Sequence, residues 1–315
     1  MLNQIVFLFG AGASKGAMHI LPHCPPLMRE LYDELGKYDP NEWGPSSRRS
    51  AYADRYRRNF EATFSEVDLK IPKDDPGGWF IDSLTLLENQ ELLARYFSQF
   101  FLDSSSMDYY SKLLASLNTA DRIPDCLFAS LNYDCLFEQA GCRLGLSIDY
   151  QFSETKSVRV TKLHGSCNFI TKKLSRYDRA LLASPGLSYE IGTDFLSPLN
   201  VEKMLKEKFS NRAHLPVMSQ VSPRKEQIAA PATIHKMREK WSQALSSAKH
   251  LAIIGVSYNP NDTHVVDPIR DTRATILYIG GKDNFKKWGD ENKNFEHIGE
   301  TFEEGFERLI QQIGI

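Results

Sequence analysis

The sequence predicts an α/β protein built on a parallel β-sheet with flanking helices and a helical insertion. Short apolar runs typical of buried strands occur near both ends of the chain and alternate with helical segments. Three of these runs, IVFLF, HLAIIGVS and ATILYIGG, end at glycine or a polar residue. Strands that alternate with helices favour a parallel sheet, which binds its ligands at the carboxyl ends of the strands. The string GAGAS directly after the first run makes the predicted sheet Rossmann-like.

The N-terminal part of the chain is predicted to hold two strands with a helical block between them. The run IVFLF is the first strand, and a proline-rich loop follows it before a helix near Leu27–Leu35. From about Ala51 to Thr119 apolar residues recur at helical spacing, most clearly at Leu84, Leu87, Leu92, Tyr96 and Phe100. Cys126–Leu131 is then a short apolar strand. We expect residues 45–120 to form a helical insertion.

The C-terminal part repeats the alternation after a second, irregular insertion. Val158–Leu163 alternates as a strand does, whereas several prolines break up residues 172–231, which we expect to contain loops and one helix near Val201–Phe209. A helix near Thr233–Ala248 precedes the strands HLAIIGVS and ATILYIGG, and its solvated face is expected to carry Lys236, Arg238, Glu239 and Lys240. We expect residues 1–281 to form the nucleotide-binding domain and residues 282–315 a C-terminal helical extension, mainly the helix Phe302–Ile313.

Composition narrows the class of protein. The 315 residues are 42% hydrophobic and 25% charged with a net charge of −2, so the chain as a whole does not attract nucleic acid or anionic membranes. No apolar stretch approaches the roughly 20 residues that span a bilayer, and we expect a cytoplasmic protein. The five cysteines show no CxxC pair, so we expect neither a disulfide framework nor a bound metal.

The turn after the first strand is the first candidate site. Gly10, Ala11, Gly12, Ala13 and Ser14 lie where a strand is predicted to lead into a helix. Glycines at such a turn let a phosphate approach the backbone at the N-terminus of the helix. The string therefore predicts a dinucleotide-binding turn.

Polar side chains follow several of the predicted strands. Asn132, Asp134, His164, Ser257 and Asp262 all come just after a strand, at the edge where open α/β sheets bind ligands. Taken singly, Asp134 could instead cap the helix that follows it, and His164 could be a hydrogen-bonded structural histidine. Their order after a glycine-rich turn favours a common site.

The ordered strings GAGAS, NYD, LHGS and IIGVSYNPND, between about Asn3 and Gly281, resemble the sirtuin-like (silent information regulator) family, in particular its bacterial antiphage-defence branch of NAD hydrolases. The resemblance implies that Gly10–Ser14 bind phosphate and that Asn132, Asp134 and His164 are catalytic. It also implies nucleotide contacts from four residues near the later strands, namely Gly255, Ser257, Asp262 and Gly280.

The chain departs from the family pattern at two places. Protein deacylases of the wider family usually carry a four-cysteine zinc module after the histidine, and no such spacing occurs here, which argues against deacylation. The family tends to place an asparagine where this chain has Gly280, so the contact to adenosine is in question.

The chemistry of nicotinamide removal suits these residue types. Nicotinamide is cationic in NAD and leaves as a neutral molecule, so the site must supply geometry and a proton acceptor more than an acid. We assign Asn132 to positioning water and ribose, Asp134 to holding nicotinamide, and His164 to accepting a proton. Such a base typically contributes about 100- to 10,000-fold.

Two other functions remain open. A protein deacylase or ADP-ribosyl transferase would use the same pocket with another acceptor. A non-catalytic subunit would bind NAD or ADP-ribose without releasing nicotinamide.

Control by partners is expected because an unrestrained NAD hydrolase would kill its own cell. We expect a homo-oligomer and, from the resemblance, a hexameric DNA-translocating ATPase or a short Argonaute acting in trans. The stretch RRSAYADRYRR interleaves arginine with tyrosine, which permits single-stranded nucleic-acid binding. A solvated helix face or an oligomer contact is the alternative that such charge runs favour.

Overall fold

The computed structural model describes residues 4–68, 83–175, 178, 190–210, 213–219, 225, 227, 229–289 and 294–315. They form two compact units, each built from separated segments of chain. The first unit comprises Met1–Pro25, Phe100–His164 and Ile234–Ile315, and the second comprises Pro26–Gln99 and Gly165–Thr233.

The strands are numbered in chain order. They are β1 (Ile5–Phe9), β2 (Ile20–Leu21), β3 (Phe101–Leu102), β4 (Cys126–Ser130), β5 (Ile148–Asp149), β6 (Val158–Lys162), β7 (Gly165–Thr171), β8 (Thr193–Phe195), β9 (Pro216–Met218), β10 (His250–Ile254), β11 (Thr275–Ile279) and β12 (Phe295–Gly299).

The helices are numbered in the same way. They are α1 (Ala11–Lys15), α2 (Leu31–Tyr38), α3 (Pro40–Trp43), α4 (Ala53–Arg58), α5 (Phe60–Val67), α6 (Ser83–Ser98), α7 (Tyr109–Thr119), α8 (Leu136–Arg143), α9 (Val201–Phe209), α10 (Pro231–Leu245), α11 (Thr263–Asp271), α12 (Lys282–Gly289) and α13 (Phe302–Gln312). Short 3₁₀ turns lie at Arg48–Tyr52, Ile123–Asp125 and Pro198–Asn200.

The first unit is built on a seven-stranded sheet in the order β12-β11-β10-β1-β4-β6-β5. Each neighbouring pair of strands in this order is parallel. All five residues of β1 are buried, as expected for a central strand covered on both faces. Val6 and Leu8 belong to the core that includes Trp241 of α10, whereas Phe9 packs against Phe137 of α8 on the opposite face. The Rossmann-like α/β fold predicted from the sequence is confirmed.

The strand order determines where the candidate residues meet. β1 lies between β4 and β10, so the chain fills one side of the sheet with β4 and β6 before it returns to the other side with β10, β11 and β12. Such a reversal of direction beside a central strand opens a crevice at the carboxyl ends of the strands. Gly10, Asn132, His164 and Gly255 all follow strands that end at this edge.

The second unit combines helices α2–α6 and α9 with a three-stranded antiparallel sheet in the order β8-β7-β9. Aromatic rings of Tyr32, Trp43, Tyr56 and Phe60 stack or meet edge to face in its core. This antiparallel sheet was not predicted, because β8 and β9 have three residues each and lie in the irregular stretch.

The basic stretch of this unit pairs with carboxylates. Arg49 is buried and its Nη2 lies 2.7 Å from Asp68 Oδ1, while Arg57 Nη2 lies 2.9 Å from Asp33 Oδ1. Arg55 forms an ion pair with Glu66. These ion pairs give the three arginines a structural role within the unit, while nucleic-acid binding and an oligomer contact both stay predictions.

Several boundaries differ from the expectations. The second unit draws on residues 26–99 and 165–233 rather than 45–120 and 172–231. Residues 282–315, expected to be a helical extension, contain β12, which pairs with β11 as an edge strand of the main sheet. The strand FEHIG was missed because its polar residues interrupt the apolar run. The side chain of Leu84 and much of residues 172–231 lie outside the described residues.

Among the described residues, no helix combines the length and apolar character needed to cross a membrane.

Candidate functional site

The glycine-rich turn packs against the loop that follows β10. The Gly12 amide donates to Gly255 O at 3.0 Å, and a Cβ on Gly10 would lie 2.6 Å from the same oxygen. Gly255 has a φ of +64°, and a Cβ there would lie 2.0 Å from Ala13 N. From the sequence, Gly10 and Gly12 are predicted to let a phosphate approach, and Gly255 is predicted to contact the nucleotide. In the structure these glycines allow close backbone packing between two neighbouring strand ends, and the nucleotide contacts stay predictions.

Ser14 connects the turn to the NYD string. Asn132 Nδ2 donates both to Gly10 O and to Ser14 Oγ, each at 2.9 Å. Ser14 Oγ donates to Asp134 Oδ1 at 3.2 Å, and the Tyr110 hydroxyl lies 3.1 Å from the same Oγ. Because the serine hydroxyl has one hydrogen to give, Tyr110 must donate to it. The predicted residues Ser14, Asn132 and Asp134 therefore form one hydrogen-bonded network.

Asp134 also holds the start of α8. Its Oδ1 accepts the Leu136 amide at 3.1 Å, although Cys135 rather than Asp134 is the N-cap residue of the helix. Burial raises the pKa of Asp134, and the positive charge of Lys162 opposes that rise. The carboxylate is directed at Ser14 and the helix. Its assignment to nicotinamide stays a prediction.

A buried ion pair lies behind Asp134. Lys162 and Glu138 have side chains that are each 1% exposed, and Lys162 Nζ lies 3.1 Å from Glu138 Oε1. Lys162 Nζ also donates to the backbone oxygen of Asp134 at 2.7 Å. Burial lowers the pKa of Lys162, but the neighbouring negative groups, Glu138 foremost, together outweigh burial, so the net shift of the pKa is upward. This lysine ties the NYD loop to the end of β6, two residues before His164.

His164 lies beside a second histidine and a carboxylate. One of the two Nε2 atoms of His164 and His264 donates to the other at 3.1 Å, and His164 Nε2 lies 3.8 Å from Asp262 Oδ1. The facing nitrogen and oxygen atoms of the three residues all lie within 4.8 Å of one another. Asn259 Nδ2 donates to Asp262 Oδ2 at 3.3 Å, which orients the carboxylate. Of the site residues predicted from the sequence, Asp262 is the one that lies beside His164 in this cluster.

Arg238 belongs to this part of the site rather than to a solvated face. It is half-buried, and its Nε donates to Leu163 O at 3.0 Å. Burial lowers the pKa of Arg238, opposed by the negative charge of Asp262. The expectation that Arg238 lies on the solvated face of α10 is wrong, because the side of α10 that carries Arg238 packs against the end of β6.

Ser257 and Gly280 lie near the following strand ends. Ser257 is exposed and its Oγ accepts Asn284 Nδ2 at 3.3 Å, while Gly280 O lies 2.8 Å from His297 Nε2. Both hydrogen bonds are formed within the first unit. The nucleotide contacts of Ser257 and Gly280 stay predictions.

The predicted catalytic residues fall into two groups on adjacent strands. Asn132 and Asp134 meet at Ser14, whereas His164 meets Asp262 and His264, and Lys162 links the groups. Six residues of the site described above were not predicted from the sequence, namely Tyr110, Glu138, Lys162, Arg238, Asn259 and His264. Lys162 lies within the KLHGS motif, and His264 lies two residues after Asp262. Their closeness to predicted site residues was the feature of the sequence that could have identified them.

No model of a protein family matches the chain, and no curated protein matches it either. Among solved structures, the chain is similar to a crystal structure of Sir2 in complex with the inhibitor EX-527, 2′-O-acetyl-ADP-ribose and a deacetylated p53 peptide. The identity is 14% and the TM-score 0.45, over 99% of this chain and 94% of that chain. The fold assignment rests on the strand order of the sheet described above.

Proposed function

We propose that the protein is an NAD⁺ hydrolase that cleaves the bond between nicotinamide and ribose and releases ADP-ribose. The observation that carries the proposal is the placement of an amide and an imidazole, Asn132 and His164, on adjacent strand ends beside the glycine-rich turn. This is the edge at which open parallel sheets bind nucleotides.

Asn132 and His164 have separate roles in the proposed reaction. Both amide hydrogens of Asn132 are used on Gly10 and Ser14, so its Oδ1 is the atom that accepts a hydrogen bond from water or a ribose hydroxyl. Nicotinamide leaves with the electron pair of the glycosidic bond, and the oxygen of water forms the new bond to the sugar carbon. The water proton passes to the imidazole of His164.

The remaining predicted residues have supporting roles. Asp134 acts as a positioning residue through Ser14, since its carboxylate contacts that hydroxyl. The nucleotide extends along the strand ends past Gly255 and Ser257 toward Gly280, with Asp262 on the side of His164. This path follows the edge of the sheet from β1 to β11.

Nicotinamide release tests the proposal directly. Purified protein is incubated with NAD⁺, and nicotinamide and ADP-ribose are quantified by chromatography. We expect His164→Ala and Asn132→Ala each to lower turnover by about 100-fold or more. His235→Ala is the matched control, because His235 is 74% exposed on α10 and should leave turnover unchanged.

Product analysis separates the alternatives. Wild-type turnover in His164→Ala would overturn the assignment of the base. Nicotinamide release with transfer to an acyl group or a protein side chain would indicate a deacylase or transferase. Binding of NAD⁺ without nicotinamide release, also in the presence of a partner, would indicate a non-catalytic subunit.

We further propose that the enzyme acts in antiphage defence and is held inactive until it assembles. The resemblance in the GAGAS, NYD and LHGS strings supports this role. Homo-oligomerisation, or a DNA-translocating ATPase or short Argonaute in trans, would supply the control. A strict monomer in size-exclusion chromatography that hydrolyses NAD⁺ without a partner would contradict it.

A further inference from the structure

Two histidines and an aspartate converge at the end of β6. His164 directly follows the sheet strand, while Asp262 and His264 lie at the start of α11, about 100 residues later in the chain. His164 is 5% exposed and Asp262 7% exposed. Imidazole and carboxylate groups from two separate loops thus face a common point in a largely buried setting.

The spacing suits neighbouring ligands of one metal ion. Metal–nitrogen bonds of about 2.0–2.1 Å place two imidazole nitrogens roughly 3.0–3.4 Å apart, depending on the coordination angle. The His164 and His264 Nε2 atoms are 3.1 Å apart. His164 Nε2 and Asp262 Oδ1 are 3.8 Å apart, so closure around an ion requires a movement of a few tenths of an ångström.

The carboxylate is already oriented by a second residue. Asn259 Nδ2 holds Asp262 Oδ2 at 3.3 Å while Oδ1 is the oxygen nearer His164. Hydrogen bonds of this kind to a ligating carboxylate are typical of metal sites. Two histidines and one carboxylate with open positions are a common donor set for zinc and other first-row divalent ions.

We propose that His164, His264 and Asp262 form a binding site for a divalent transition-metal ion of the zinc type, with water in the remaining positions. Each imidazole must present an unprotonated Nε2 to the ion. The hydrogen that the two Nε2 atoms share therefore moves to Nδ1 by a change of tautomer, with no net loss of protons.

Loading the site inhibits hydrolysis. A neutral imidazole bound through Nε2 carries its hydrogen on Nδ1 and has no lone pair left to accept a proton from water. This consequence rests on the proposed function of His164, whereas metal binding itself does not. The metal site is thus a means of regulating the same histidine.

Cobalt is the probe for binding, because Co²⁺ bound by two histidines and a carboxylate has visible absorption distinct from that of the aqueous ion. Chelator-treated full-length protein is titrated with CoCl₂, and ZnCl₂ binding is followed by calorimetry. We expect one site per chain that His264→Ala and Asp262→Asn each weaken at least about tenfold. His235→Ala should bind as the wild type does, and circular dichroism verifies folding of all variants.

The outcomes distinguish the two proposals. Equal Co²⁺ spectra in wild type and His264→Ala, or no binding above that of aqueous cobalt, would overturn the metal site and leave a simple hydrogen-bonded histidine pair. Nicotinamide release that ZnCl₂ leaves unchanged would overturn the regulation while the proposed hydrolysis stands. Metal binding without nicotinamide release under any condition would refute the hydrolase and retain the site.

Discussion

The hydroxyl of Ser14 is the shared partner of the amide and the carboxylate in the NYD string. It accepts from Asn132 Nδ2 and donates to Asp134 Oδ1. A serine at the fifth position of GAGAS therefore fixes side chains that lie more than 100 residues away in the sequence.

Ser14→Ala tests this role. We expect the free energy of unfolding to fall by about 1–3 kcal/mol, because the variant leaves buried polar groups without a partner. Nicotinamide release should also fall as Asn132 loses its orientation. Ser246→Ala, at an exposed serine of the loop after α10, should change stability by less than about 0.5 kcal/mol. Equal effects of the two variants in urea unfolding would argue against the network.

Lys162 couples stability to the geometry of the NYD loop. Lys162→Met leaves Glu138 as a buried carboxylate without its partner and should lower the free energy of unfolding by about 3–5 kcal/mol. The double variant Lys162→Met with Glu138→Leu should be more stable than the single variant, since no uncompensated charge remains. Urea unfolding of the set measures this, and a double variant as unstable as the single one would contradict the ion pair.

The turn between β1 and α1 packs closely against the loop after β10. Strand ends that approach this closely need glycine on both sides, and Gly255 supplies the left-handed backbone conformation. The glycine string is thus an element of sheet packing as well as a candidate nucleotide contact.

Gly255→Ala should disrupt this turn. Backbone strain at a φ of +64° together with the clash on Ala13 N should lower the free energy of unfolding by about 3 kcal/mol or more. Gly289→Ala is the control, because among the described residues no atom outside its own helix and chain neighbours lies within 4 Å of the added Cβ, and alanine favours helix α12. Similar melting temperatures for the two variants would contradict the packing role.

The loop after β5 is organised by Asp149. Its Oδ1 accepts the amides of Gln151 and Phe152, and its Oδ2 accepts that of Glu154, each at 2.8 Å. Burial raises the pKa of Asp149, but these backbone donors outweigh burial and hold it below the usual 3.8. The folded chain therefore favours the ionised carboxylate.

The lowered pKa of Asp149 makes stability depend on pH. Stability from Asp149 is fully present above pH 3.8 and is lost as pH falls through the lower folded pKa. We expect Asp149→Asn to be less stable than wild type at neutral pH, with the difference shrinking in acid. Unfolding by urea from neutral to acidic pH measures it, and a constant difference would contradict the assignment.

The whole molecule should respond to its proposed substrate. A ligand at about 100 times its Kd stabilises the state that binds it by about 2.7 kcal/mol. ADP-ribose, which is not consumed, should therefore raise the melting temperature in scanning calorimetry. An unchanged thermogram at high ADP-ribose would count against a nucleotide site in the first unit.

Many residues of the candidate site could be predicted from short sequence motifs, because they follow directly after strands. The strands IVFLF and HLAIIGVS are continuous apolar runs, which identify central parallel strands in sequence. The edge strand β12 and the short strands β8 and β9 carry no such run and were missed. Arg238 was misplaced because its helix shows the same charge pattern whether its flank is solvated or packed.

The amino-acid sequence by itself determined the Rossmann-like class and the polar residues at the strand ends, because both depend on local apolar runs and on the few residues directly after them. The tertiary structure decided which of those residues touch. The pairing of His164 with His264, and of Lys162 with Glu138, depends on which strand ends and helices become neighbours. That choice is made by the order of strands in the sheet, which no local pattern encodes.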